Sequence, residues 1–192
     1  MILSNQAILD AMDQGAFSIA PIEGRDPSSA PFNASAIDLR LGTEVLIPKK
    51  NYPVAIDLRN PGIAGFLHQI SDRFTMNDHQ PFTLEKNEFV VTNTLERVSF
   101  PIREEGQQCY SARVEGKSSL ARCGILVHFT APTIHAGFEG PITLEMINMS
   151  AHSFLLFPGM YICQLIIEEV RGLPIAAPNQ FSGQTGPAGI VP

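Results

Sequence analysis

The stretch Ile142-Thr143-Leu144-Glu145-Met146-Ile147-Asn148 alternates in a way that reads as a β-strand. Successive side chains of a strand point to opposite faces, so Ile142, Leu144 and Met146 share one side while Thr143, Glu145 and Ile147 share the other. Working outward, further strand candidates fall at 37–41, 44–47, 89–94, 109–114, 125–129, 153–157 and 161–170. Turn chemistry separates them at Gly116, at Gly137 with Gly140, and at Pro158-Gly159. The 15 Gly and 15 Pro are spread along the chain, which favours many short strands over long helices. Strands at such short intervals predict a mainly β fold, a barrel or sandwich of jelly-roll type.

Helices are few. Ser4 can cap one at the start, with Ile8, Leu9 and Met12 on one face and Gly15 as its stop. Residues 65–74 read either as a second short helix, with Phe66, Leu67, Ile70 and Phe74 inward, or as an irregular loop. The segment Ala36-Ile37-Asp38-Leu39-Arg40 recurs as Ala55-Ile56-Asp57-Leu58-Arg59. Two copies with nothing repeating around them do not make a repeat architecture.

The 192 residues suit one domain, and a hydrophobic share of 44% against 17% charged supplies a core that a disordered chain lacks. Net charge is −6, from 13 Lys and Arg against 19 Asp and Glu, without a basic block. That argues against a polymeric nucleic acid partner, which calls for clustered cations. No apolar run reaches the roughly 20 residues a membrane helix needs, and the start lacks the pattern of a signal peptide. Cys109, Cys123 and Cys163 form no C-x-x-C and read as reduced thiols of a cytoplasmic protein. From Gly172 onward there is no charged residue, so the division expected is a domain over 1–171 and a tail over 172–192, frayed or able to fold over a ligand.

Two constellations can carry chemistry. In Glu115-Gly116-Lys117-Ser118-Ser119-Leu120-Ala121-Arg122, one helical turn would put Ser118 and Arg122 on one face. Hydroxyls, cations and exposed N–H groups together make either an anion cradle or simply a capped turn with solvated charges. The spacing of a P-loop is missing. The second constellation runs from Thr130 through Ala131, Ile134, His135, Phe138 and Gly140 to Glu145. A mid-strand carboxylate is costly to bury without a partner. Either Glu145 is dry, with its pKa raised towards the working pH for acid–base work, or it points outward into water. The H-x-E and P-C-x-x-C of zinc nucleobase deaminases are absent, as is the G-x-S-x-G of hydrolase elbows.

These residues together resemble the dCTP deaminase family of the trimeric dUTPase superfamily. The agreement runs through Ile2-Leu3-Ser4, Ala36–Gly42, Glu115–Arg122, His128-Phe129-Thr130-Ala131, Gly137-Phe138, Gly140, Thr143-Leu144-Glu145 with Asn148, Pro158-Gly159-Met160, Gln184 and Gly186. The resemblance implies a distorted β-barrel with a short N-terminal helix and a flexible C-terminal tail, assembled as a homotrimer with active sites between subunits. It implies deamination of dCTP to dUTP and ammonia, with Mg2+ carried on the triphosphate and no zinc. Glu145 falls on the family's catalytic glutamate, Ser118 and Arg122 on positions beside the attacking water, and Ala131 on the residue whose backbone meets the reacting amino group. Lys117 and Ser119 fall on phosphate-binding positions, Phe138 on the aromatic that packs on the deoxyribose, and Gln184 on a tail glutamine that closes over the phosphates. Ile134, His135, Gln164 and Gln180 complete the substrate-binding set, and the tail becomes a flap.

Three departures bear on substrate. Lys117 replaces the usual Arg and loses its bidentate fork. His135 stands where an Asp contacts the sugar and, in hydrolytic members, supports the attacking water; Gln180 and Phe181 stand where Lys and Tyr are common. These features favour a deaminase over a dUTPase or a bifunctional enzyme releasing pyrophosphate, and motivate a third alternative, a catalytically silent nucleotide-binding homologue.

Overall fold

The structure, a computed structural model, describes all residues except 52, 54, 56, 58, 60–62, 178–182 and 190–192, and the backbone alone of 63 and 64. In chain order the elements are α1 (Asn5–Asp13), β1 (Ser18–Ala20), β2 (Phe32–Asn33), β3 (Ala36–Pro48), α2 (Ile63–Ile70), β4 (Ser71–Thr75), β5 (Phe82–Leu84), β6 (Phe89–Ser99), β7 (Cys109–Gly116), α3 (Ser118–Arg122), β8 (Ile125–Val127), β9 (Thr133–Ile134), β10 (Glu139–Asn148), β11 (Phe154–Leu156) and β12 (Tyr161–Val170).

One antiparallel sheet runs β8-β10-β6-β3-β12-β7-β9, with β1 added to β6 and both β2 and β4 to β3; β5 and β11 form a separate pair. The 13-residue β3 is its spine. Its first part pairs with β12 (Ile37↔Leu165, Arg40↔Tyr161) and its second with β6 and β4 (Val45↔Thr92, Val45↔Phe74). The sequence reading broke this strand in two at Gly42. The break is instead a register shift between Leu41 and Val45, and Gly42 is there for contact: a Cβ on it would lie 2.8 Å from the Asn93 carbonyl oxygen.

A second correction concerns residues 65–74. A helix forms but ends at Ile70, and Phe74 lies on β4, because 71–75 are taken up in the ladder with β3. The predicted strand 125–129 is also shorter, since His128 leaves it at φ +53°. β1, β2, β4, β5 and β9 are too short or too polar for alternation to mark them.

At the N-terminus, Ser4 Oγ accepts the Ala7 N–H at 3.3 Å and caps α1, while Gly15 closes the turn at φ +65°. Ile8 and Leu9 face inward, and Leu3 N–H bonds the Ile167 carbonyl at 3.0 Å, fastening the helix beside β12. The core contains Ile37, Leu39, Leu41, Leu144, Ile162 and Leu165, each fully or almost fully buried. Inside the barrel wall, Glu96 (3% exposed) accepts both the Nε and the backbone N–H of Arg40, at 2.7 and 2.8 Å, clamping β6 to β3. Cys109 and Cys163 are buried and Cys123 is exposed, all without a disulfide. Burial, with Glu96 and Asp38 nearby, pushes the Cys163 thiol pKa up. No helix among the described residues is long and apolar enough to cross a membrane.

Candidate active site

The register of three strands builds the centre of the site. On β10, Ile142, Leu144 and Met146 are buried against the core, and Thr143 and Glu145 occupy the other face, half-buried. Glu145 stands opposite Val91 of β6. On its other side Met146↔Val127 is the last regular pair with β8. The next position opposite Glu145 is therefore His128, whose N–H bonds the Glu145 carbonyl at 2.8 Å.

The His128 ring is buried (8% exposed) and reaches two groups. Its Nε2 lies 2.7 Å from the Ala131 carbonyl oxygen and its Nδ1 lies 3.0 Å from Glu145 Oε2. The Ala131 backbone is fixed in turn because Pro132 accepts the Val114 N–H at 2.9 Å and β9 then joins β7. Burial pushes the Glu145 pKa up, but the facing His128 outweighs it and the net direction is down. Neither alternative left open by the sequence holds: Glu145 is half-buried, and the imidazole opposite, invisible until the strands are in register, favours the ionised carboxylate.

The turn at 118–122 is indeed helical, and α3 packs against β8, the strand next to β10. Ser118, Ser119 and Arg122 are exposed, and among the described residues no side-chain hydrogen bond or ion pair engages them. Lys117 is different. It pairs with Asp38, lies 5.6 Å from the Tyr161 ring centroid, and is only 20% exposed. Asp38 also accepts Gln164 Nε2 at 3.2 Å and Asn33 Nδ2 at 2.9 Å, so Lys117 and Gln164 converge on one carboxylate.

The described part of the tail lies across the same face as Glu145. Gln184 is 2% exposed, and its Nε2 donates to the Pro141 carbonyl at 2.6 Å and to Thr143 Oγ1 at 3.1 Å. Its Oε1 is buried without a partner among the described residues. Ala188 packs on Leu46 and Val91, which continue the row Leu46–Val91–Glu145 across β3, β6 and β10. Phe138 and Ile134 belong to the core, His135 is exposed on the loop after β9, and Gln180 with Phe181 lies outside the described residues. Among those residues no cluster of three or more His, Cys, Asp or Glu side chains is placed to hold a metal ion.

A family model described as dCTP deaminase-like matches residues 2–170. The chain belongs to the dCTP deaminase-like family. Its relatives include proteins named "dCTP deaminase, dUMP-forming" from Methanosphaera stadtmanae, 34% identical over 97% of this chain and 91% of that one, and from Dictyoglomus thermophilum, 33% identical over 97% and 92%. A Natronomonas pharaonis protein named "dCTP deaminase" is 33% identical over the same shares. The crystal structure of 2'-deoxycytidine 5'-triphosphate deaminase from Agrobacterium tumefaciens superimposes with a TM-score of 0.64 at 19% identity, over 88% of this chain and 47% of that one. It shares the fold, and this chain spans about half its length.

Within this dCTP deaminase-like chain two residues of the site escaped the sequence reading. His128 stood in a quoted motif but, taken alone, a histidine is more often a surface or core-edge residue. Asp38 stood in the Ala36–Arg40 segment, where only the β3–β12 register discloses that it faces Gln164.

Proposed function

We propose that this protein is an enzyme that hydrolytically deaminates dCTP to dUTP and ammonia. The observation that carries the reading is the half-buried Glu145 carboxylate, held ionised beside the fixed Ala131 carbonyl. Glu145 takes a proton from the water whose oxygen bonds C4 of the base. That proton passes to N3, the tetrahedral carbon collapses, and the C4–N bond breaks as the amine leaves with the hydroxyl's proton. Ala131 accepts from the substrate's amino group, and the uncommitted hydroxyl of Ser118 and guanidinium of Arg122 orient water and substrate. Ser119 and Lys117 meet the phosphates; for Lys117 this means exchanging Asp38 for the substrate. Mg2+ enters as part of the substrate, on phosphate oxygens and water. Gln184 and the tail over 172–192 serve as the flap, Phe138 and Ile134 form the apolar wall behind the sugar, and Gln164 steadies Asp38.

Glu145→Gln is expected to lower ammonia release by roughly 10²–10⁴-fold while dCTP binding measured by calorimetry is retained. Ammonia release within a few-fold of the unaltered protein would remove Glu145 from the mechanism.

The names of the Methanosphaera and Dictyoglomus relatives favour a second reading, in which dUTP is also hydrolysed to dUMP. Incubation with dCTP, dUTP and magnesium separates the readings. Ammonia with dUTP supports deamination alone, pyrophosphate supports the bifunctional reading, and unchanged nucleotide supports a silent binder. The assembly proposed is a homotrimer, favoured by the exposed Leu126, Phe129 and Met149 around the free edge of β8, apolar side chains that a second subunit would cover.

A further inference from the structure

One contact in the site does more than the reading above asks of it. His128 adopts φ +53°, the left-handed region that residues with a side chain rarely occupy, and such strain persists only where the surroundings determine it. Here three contacts do so: the N–H to the Glu145 carbonyl, Nε2 to the Ala131 carbonyl and Nδ1 to the Glu145 carboxylate.

The chemistry of those partners fixes the hydrogens. A carbonyl oxygen only accepts, so Nε2 carries a hydrogen at 2.7 Å from Ala131. At the other end, Nδ1 and Oε2 are both buried and lie 3.0 Å apart, within ion-pair distance, and neither makes a hydrogen bond among the described residues. Two bare lone pairs held that close would repel, because both atoms are shielded from solvent. One proton therefore belongs to the contact.

We propose that His128 is a positioning residue of the reaction, sharing one proton with Glu145 and setting that carboxylate and the Ala131 carbonyl against the same carbon of the substrate. This rests on the deaminase reading above. The facing ring outweighs burial in setting the Glu145 pKa, so the carboxylate is favoured in its ionised form. The contact with His128 engages Oε2 and leaves the other carboxylate oxygen to receive the proton of the attacking water. His128 keeps its Nε2 hydrogen on Ala131 throughout, and the second lone pair of that carbonyl takes the substrate's amino N–H.

Other charges are few around the couple. Across β10 the facing positions on β6 are Phe89, Val91 and Asn93, and β8 contributes Ile125, Leu126 and Val127. From α3, packed on β8, the charged side chain is Arg122, which is exposed. The titratable group directly opposite Glu145 is His128.

Histidine ¹⁵N NMR of the unaltered protein tests the couple without turnover. Nδ1 of His128 is expected to show the proton shared with Glu145 in the unaltered protein and to be bare in Glu145→Gln, with Nε2 carrying its hydrogen in both. A neutral ring with bare Nδ1, or a ring unmoved by Glu145→Gln, overturns the proposal. In His128→Gln, which keeps a donor but has no titratable proton, kcat for dCTP is expected to fall about tenfold or more with KM changing less than about threefold. The acid limb of its kcat/KM profile moves to higher pH, because Glu145 loses what holds its pKa down. An unmoved limb overturns the proposal. Should His128→Gln fail to fold, the NMR decides. An unaltered protein that releases no ammonia defeats the deaminase reading, whereas the NMR outcome still decides the shared proton.

Discussion

Glu145 meets two opposed demands: burial favours its acid form and the imidazole opposite favours its anion, and the imidazole wins. The sign of the pH effect follows. With a folded pKa below the ordinary 4.5, the carboxylate contributes stability above pH 4.5 and loses it as pH falls through the folded value. Urea unfolding at stepped pH is expected to show the unaltered protein losing more stability below pH 4.5 than Glu145→Gln, and parallel curves would contradict it. Alternation in the sequence placed Glu145 on the face opposite Leu144 and Met146. It could not reveal the partner, because His128 is seventeen positions away in a segment whose alternation has already ended. The same holds for Asp38: the residues that crowd it, Lys117 before α3 and Gln164 on β12, are distant in the chain, and such long-range contacts leave no periodic trace.

Among the elements, β3 bears the most pairing and offers the clearest tests. Gly42→Ala places a Cβ 2.8 Å from the Asn93 carbonyl oxygen, a backbone atom that cannot swing away. Overpacking of this kind costs about 1–3 kcal/mol, measurable as a lower urea midpoint. Glu96→Leu leaves the Nε and backbone N–H of Arg40, 12% exposed, without their acceptor, while the rest of the guanidinium keeps Glu23 and the Pro21 carbonyl. Leaving such buried donors unpaired costs about 1–3 kcal/mol, and a loss under about 1 kcal/mol would show that water reaches them. The helix at the start was legible because cap, apolar spacing and stop agree locally. The end of α2 was not, because pairing of 71–75 with β3 overrides a helical apolar pattern that continues to Phe74.

At the scale of the molecule, the net charge of −6 is unhelpful for an anionic substrate, so the cations Lys117 and Arg122 and the exposed start of α3 have to supply local attraction. A mass of three times 20.9 kDa is expected in sedimentation equilibrium, and a single-chain mass with full activity would exclude sites shared between subunits.

The tail rests on Thr143 through Gln184 and on Val91 through Ala188, ground that the nucleotide of the proposed reaction also needs. On the proposed function each cycle contains a lifting and a resettling of uncharged chain, and such motions often limit turnover more than bond-breaking does. Friction with the medium becomes part of the rate law. Glycerol or sucrose is expected to slow the full chain in proportion to viscosity and to leave the chemical step of pre-equilibrated complexes unaffected.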